Sequence, residues 1–499
     1  MKYFDLLKEK LSSLWPMWLV IMMLATWSIY IQEGKINIDG LLYLKQAYLI
    51  GKGSWKEALF LYPWPFFSML IAVFHKLTCL HLQIVAHALN LLLFGVAALF
   101  YLKTLQLIYY KNEKQIIFYG GILLLSFIPI MDKYVGMILR DHGFWAGCMM
   151  GTYFYINNLS KKSYLNNLLW QLSFAFAGLF RPEAFVFLIF IPVFNLIINR
   201  IFVFNGQSIL KLTKDCSVLI ICIFFYLIIK FLSDTDNLWF VESSRLGEFA
   251  SRFMSFIEQI SSPLPISTNH PYLNDILINN PITITYGLLL TLIMIKWIKG
   301  LGFLLSGLLV YYFSKSYQTK IDRQIRLSLY FFITVSFLLV LINLFNNYVL
   351  SNRYWISHWF WIFILVSPAL ISLLKLNETK LIKTLKVLIS FFIIISIINV
   401  FVDSNKNNLE LEAGNYLKNM SIESHRSIKL IKAERIGYYA GLSIPDLMIA
   451  SKPDLLNAEY IVLKGTNEEV KKFIEMDYKF EKIFTNGSHE VYLLKKDNS

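Results

Sequence analysis

The sequence predicts a mainly α-helical, polytopic membrane bundle of about 11 spans that ends in a small C-terminal α/β domain. Three observations predict it. Apolar runs recur along residues 1–402, many near the ~20 residues that a membrane helix needs. Hydrophobic residues make up 56% of the 499 and charged residues 16%, below the ~25% of a soluble domain and opposite to the balance of a disordered one. Beyond Val402 the apolar runs stop, and shorter helix and strand periods replace them.

The expected spans are 12–31, 82–109, 115–131, 143–157, 164–180, 183–199, 215–232, 281–313, 327–346, 354–374 and 384–402. The run 281–313 contains Lys296 and Lys299 and reads as one kinked span or as a hairpin of two. The stretch 63–78 begins with Pro63-Trp64-Pro65 and contains His75 and Lys76, so it is expected to lie at the interface without crossing. Residues 1–31 carry a long apolar run with no small-residue cleavage site after it, and read as the first span.

Charge gives the orientation. With the N-terminus in the cytoplasm, the inner segments hold 21 basic residues against 6 acidic ones, while the outer loops hold 12 of each and the tail 14 and 15. Topology therefore accounts for the net charge of +14, and nucleic-acid binding gains no separate support. An odd number of spans puts the tail outside, on the periplasmic side of a bacterial inner membrane. Two outer regions, 32–81 and 233–280, are too long for turns and read as functional.

In the tail, 408–420 has helical spacing, 427–432 alternates like a half-buried strand, and 458–463 reads as a buried strand. A helix is expected at 468–476. Residues 478–484 and 490–494 should close as a hairpin around Asn486-Gly487. The domain, 403–499, reads as a stabilising or docking module. The four cysteines show no CxxC spacing, and neither HExxH nor a phosphate-binding P-loop occurs.

Ionisable residues at membrane ends carry the functional signal. Asp39 opens the first outer loop, with Tyr43 and Ala47 at helical spacing; it reads either as a helix cap or as a chemical group. Arg140-Asp141-His142-Gly143 precedes the span at 143. Arg181-Pro182-Glu183 forms a tight turn between two spans, where the charges either snorkel to the interface or act on a ligand. Arg353-Tyr354 opens a late span, and Arg353 is the lone basic residue of its loop. Together these gather carboxylates, guanidinium groups and a histidine on the outer side.

The arrangement resembles the C-type glycosyltransferase superfamily, nearest to its protein O-mannosyltransferase and aminoarabinose transferase members. The resemblance covers residues 1–400 and rests on order: Asp39 after the first span, the Tyr62–Pro65 stretch, two spans, Asp141, the loop 233–280 and Arg353-Tyr354. The family often has Asp-Glu where this chain has Asp39-Gly40, and a Lys before the first-loop proline where it has Tyr62. The resemblance implies transfer of a sugar from a polyprenyl-phosphate carrier to a lipid, glycan or protein acceptor at the outer face. Asp39 is then the candidate general base and Asp141 its support, with a divalent cation between them as the one cofactor left open. Arg353, then Arg140, would stabilise the departing lipid phosphate. His142, Arg181, Glu183 and Tyr43 are candidate substrate contacts. The rival readings are a polysaccharide polymerase or ligase and a lipid-linked sugar transporter. The early position of Asp39 argues against the first, and the lack of repeated halves argues against the second.

Overall fold

The computed structural model describes residues 2–32, 36–109, 113–198, 206–232, 281–314, 321–347, 351–375, 387, 394, 398, 409–419, 428–444, 447, 460–465, 478–486 and 489–496. In chain order the helices are α1 (Lys2–Ile31), α2 (Ile38–Gly51), α3 (Trp55–Leu61), α4 (Phe66–Thr78), α5 (Leu82–Ile108), α6 (Glu113–Val135), α7 (Asp141–Lys161), α8 (Tyr164–Phe180), α9 (Phe185–Ile198), α10 (Gly206–Asp215), α11 (Ser217–Leu232), α12 (Pro281–Ser314), α13 (Arg323–Asn347), α14 (Ile356–Lys375), α15 (Leu409–Asn419) and α16 (Glu434–Tyr439). The strands are β1 (Ile428–Ile431), β2 (Tyr460–Gly465), β3 (Tyr478–Asn486) and β4 (His489–Lys496). The chain divides into two compact units, one of residues 1–28, 89–135 and 140–401, the other of 29–88, 136–139 and 402–499.

Among the described residues, four segments are long and apolar enough to cross a membrane: Leu14–Ile31, Leu82–Ile108, Arg323–Leu344 and Asn352–Ser372. At ~1.5 Å per residue they reach ~27–40 Å, enough for a hydrocarbon core of ~30 Å. Six more expected spans coincide with α6, α7, α8, α9, α11 and α12, and the last, 384–402, lies largely outside the described residues. The alternative at 281–313 resolves to one continuous helix of 34 residues. The loop 233–280 lies outside the described residues. Large apolar side chains such as Met23, Leu92, Phe224 and Val310 point outward and are exposed, a surface suited to lipid rather than water.

In the first unit α7 and α8 pack tightly as an antiparallel hairpin. Gly143, Gly147 and Gly151 recur at i, i+4 and i+8 on the face of α7 that meets α8. A Cβ at Gly147 would stand 2.6 Å from the Ala177 Cβ and 2.7 Å from the Ala177 nitrogen, so only glycine permits this approach. Polar side chains fasten other helices within the apolar interior. Trp361 Nε1 donates to Thr152 Oγ1 at 2.9 Å, and Tyr109 OH to the Ile364 carbonyl at 2.9 Å. Tyr155 OH donates to Asn195 Oδ1 at 2.5 Å, and Asn195 Nδ2 to Asp215 Oδ2 at 2.9 Å. Burying such groups is costly unless they are paired, so each pair helps fix which helix faces meet.

The second unit joins residues 29–88 and 136–139 to the tail. Helix α4 has 13 residues, ~20 Å, too short to cross the hydrocarbon core. It buries Phe67, Ser68, Ile71 and Ala72 and exposes Val73, Phe74 and Leu77. The tail holds a four-stranded sheet of order β1-β2-β4-β3, with β1 parallel to β2 and the other pairs antiparallel. Ile461, Leu463, Tyr492 and Leu494 form the core of one face. Strands β3 and β4 pair as the expected hairpin, with Asn486 opposite His489. The helix expected at 468–476 lies outside the described residues. The buried Glu410 of α15 accepts from Lys464 of β2 at 2.7 Å and pairs with Arg435 of α16 at 2.5 Å, tying three elements together.

Candidate active site

The α7–α8 hairpin brings the first residue of α7 beside the residue that follows α8. Arg181 Nη1 lies 2.5 Å from Asp141 Oδ1, and Arg181 Nη2 lies 2.8 Å from Glu183 Oε1. Three residues expected on the outer side are thus one bridged cluster. Their placement also suits the helix dipoles: Asp141 is an acid in the first turn of α7, and Arg181 caps the C-terminus of α8. Pro182–Ala184 forms a 3-10 turn, which swings Glu183 back toward the guanidinium that precedes it.

Arg181 is 6% exposed and Asp141 2%, so neither snorkels to water. The Arg181 guanidinium also lies over the rings of Phe144, 5.4 Å to the centroid, and Tyr354, 4.6 Å. On the same Tyr354 ring sits Arg353, 5.3 Å from the centroid, with Nη2 3.4 Å from the phenolic oxygen. One aromatic ring therefore lies against two cations. Asp141 precedes the span expected from 143. Burial pushes its carboxyl up, but Arg181, then Arg353 and Arg140, outweigh burial and hold it below the ordinary carboxylate range.

Beside the cluster is a cleft of about 380 Å³, open solvent included, lined by the polar Arg181, Glu183 and Tyr354 and the apolar Phe187, Leu339 and Val340. Ser336 and Asn343, which the sequence reading passed over, line it too. Their signal was present: two polar residues seven apart, on one face of a mostly apolar span.

Other expected residues fall elsewhere. His142 is fully buried, its ring 4.8 Å from that of Trp145 and 6.4 Å from that of Phe94. Tyr43, in the second unit, is 4% exposed and meets Tyr62 and Phe67 edge-on at 6.0 and 5.4 Å, packed in that unit's core. Asp39 is half-buried in the first turn of α2. It does not cap that helix: the cap position is Asn37. The Asn37 side chain bonds the backbone of Ile138 instead, donating to its carbonyl at 3.1 Å and accepting from its N–H at 3.2 Å.

Asp141, one of the two aspartates offered for a divalent cation, is paired with the Arg181 guanidinium. Among the described residues no three His, Cys, Asp or Glu side chains come together as a metal site would require.

No protein-family model and no curated protein matches the chain. Solved structures do. The crystal structure of ArnT from Cupriavidus metallidurans bound to undecaprenyl phosphate matches with a TM-score of 0.52 and 9% identity, over 95% of this chain and 98% of that one. The apo form of the same protein matches with the same TM-score and identity, over 95% and 97%. This likeness establishes the fold: over nearly its whole length the chain shares the architecture of ArnT.

Proposed function

We propose that this chain is an integral membrane glycosyltransferase that takes a sugar from a polyprenyl-phosphate carrier and transfers it to an acceptor at the outer, periplasmic face of a bacterial inner membrane. The observation that carries the reading is the whole-chain likeness to ArnT, one of whose structures holds undecaprenyl phosphate. The two guanidinium groups against the Tyr354 ring, beside a cleft lined by both charged and apolar side chains, support it locally.

The reaction needs three things. An acceptor hydroxyl or amine attacks the anomeric carbon and loses a proton, which a carboxylate takes as general base. Asp39 is that base in this proposal, since the Arg181 pairing makes Asp141 a poor proton acceptor. The bond from the anomeric carbon to the phosphate oxygen breaks, and the phosphate leaves with the electron pair. Its added negative charge is stabilised by Arg353, with Arg140 behind it. Arg181 does not serve as the phosphate ligand, because its guanidinium holds Asp141 and Glu183.

Binding of undecaprenyl phosphate to the purified protein tests this. Arg353→Ala should weaken binding by at least ~10-fold, and more than Arg353→Lys, which keeps the charge and loses the planar fork. Unchanged affinity in both variants would remove Arg353 from the donor site.

A further inference from the structure

Helix α16 is six residues long and has no place in the reaction so far. It ends with Gly441 at φ +85°, where the Leu442 N–H bonds the Gly437 carbonyl and the Gly441 N–H the Tyr438 carbonyl, both at 3.0 Å. That termination fixes its last turn, which carries Tyr438 and Tyr439. The Tyr439 hydroxyl accepts from the Ile36 N–H at 3.1 Å and donates to the Ile36 carbonyl at 3.3 Å. Both residues are buried. Ile36 stands three positions before Asp39, and the intervening Asn37 is held to Ile138 by its side chain. Tyr438 donates to Gln83 Oε1, at the start of α5. Glu434, in the first turn of α16, lies within electrostatic range of Lys45 on α2, the same helix that carries Asp39. Behind Tyr439, the backbone of α15 approaches so closely that a Cβ at Gly414 would stand 2.9 Å from the Ile436 carbonyl. The tyrosine is therefore gripped from its own domain.

We infer that the tail domain is a positioning device for the acidic loop: Tyr439 fixes the entry to α2 and so sets where the Asp39 carboxylate stands. The inference rests on the proposed role of Asp39 as base. Tyr439 touches no substrate; it is a positioning residue. A displaced base loses rate steeply, since ~1 Å of misplacement can cost ~10²-fold.

The test is Tyr439→Phe in the full chain, which keeps the ring and removes the hydroxyl. Two readouts are needed. Hydrogen exchange should become at least ~10-fold faster at the amides of 36–41 while the amides of β2 and β4 stay protected. The transfer kcat from a polyprenyl-phosphate sugar should fall ~10-fold or more, with the donor KM within about twofold of wild type. Faster exchange at 36–41 with kcat unchanged would overturn the positioning role, and so would unchanged exchange. Faster exchange throughout the tail with kcat and KM both altered would make Tyr439 a general stabiliser and overturn it as well. A wild-type protein with no transfer activity would instead defeat the proposed function, while the exchange result still decides whether the tail holds the loop.

Discussion

Replacing Arg181 with methionine keeps a long side chain and removes the guanidinium that bridges two carboxylates. The side chain of Asp141 is 3% exposed and that of Glu183 22%, so Glu183 can rehydrate and Asp141 cannot. Removing one partner of a buried ion pair costs about 3–5 kcal/mol. Loss of the cation over the Tyr354 and Phe144 rings adds about 0.5–2 kcal/mol. Asp141→Asn should cost less, about 1.5–3 kcal/mol, because Arg181 keeps Glu183. The pH dependence carries a second signature. In the wild type the Asp141 carboxyl is held below its ordinary value of about 3.9. Its contribution is therefore present above that pH and is lost only as pH falls through the lower, folded-state value. Without Arg181, burial dominates and the carboxyl rises above the ordinary value. A raised group contributes fully below about 3.9, and the contribution is lost as pH climbs through the folded-state value. The gap between wild type and Arg181→Met should thus be widest at pH 7 and narrow toward pH 5. Thermal unfolding of the purified protein in detergent measures both. A loss under about 1 kcal/mol at pH 7, or a gap that ignores pH, would refute the buried bridge.

Two further outcomes follow from packing and charge. Gly147→Ala places a Cβ 2.6–2.7 Å from atoms of Ala177 and should cost about 1–3 kcal/mol in the same unfolding assay, whereas Gly287→Ala, with nothing within 4 Å of its new Cβ, should be near neutral or slightly stabilising. A reporter active only in the cytoplasm, fused after Ser499, should stay silent; a strong signal would reverse the topology drawn from 21 inner basic residues against 6 acidic.

The helices were legible in the sequence because a membrane-crossing segment needs only length and apolarity, and both are local. Each of the first ten expected spans falls on a helix for that reason. What sequence could not show was pairing. Arg181 and Asp141 are 40 positions apart, and nothing in either segment names the other. The glycines of α7 were visible, but their meaning depends on α8 lying against them. From spacing, Asp39 read more readily as a cap than as a chemical group until the helix start was fixed at Ile38, which puts Asn37 at the cap position. Tyr43 and His142 were offered as substrate contacts from their places beside Asp39 and Asp141, and their burial among aromatic rings was not visible in either segment. Helix α16 left no trace, since six residues are too few to show a period, and its two tyrosines resemble any others until Ile36 and Gln83 stand opposite them.

The central claim is that the sugar–phosphate bond of a lipid-linked donor is broken by this chain, with Asp39 as base. Its direct test is to reconstitute the wild type and Asp39→Asn in membranes, supply an undecaprenyl-phosphate sugar, and follow both free undecaprenyl phosphate and the labelled sugar by mass spectrometry. The wild type should release the carrier phosphate and leave the sugar on an acceptor, and Asp39→Asn should slow this by ~10²–10⁴ while still binding donor. Intact lipid-linked sugar crossing the membrane with no bond broken, or near-wild-type release by a folded Asp39→Asn protein, would contradict it.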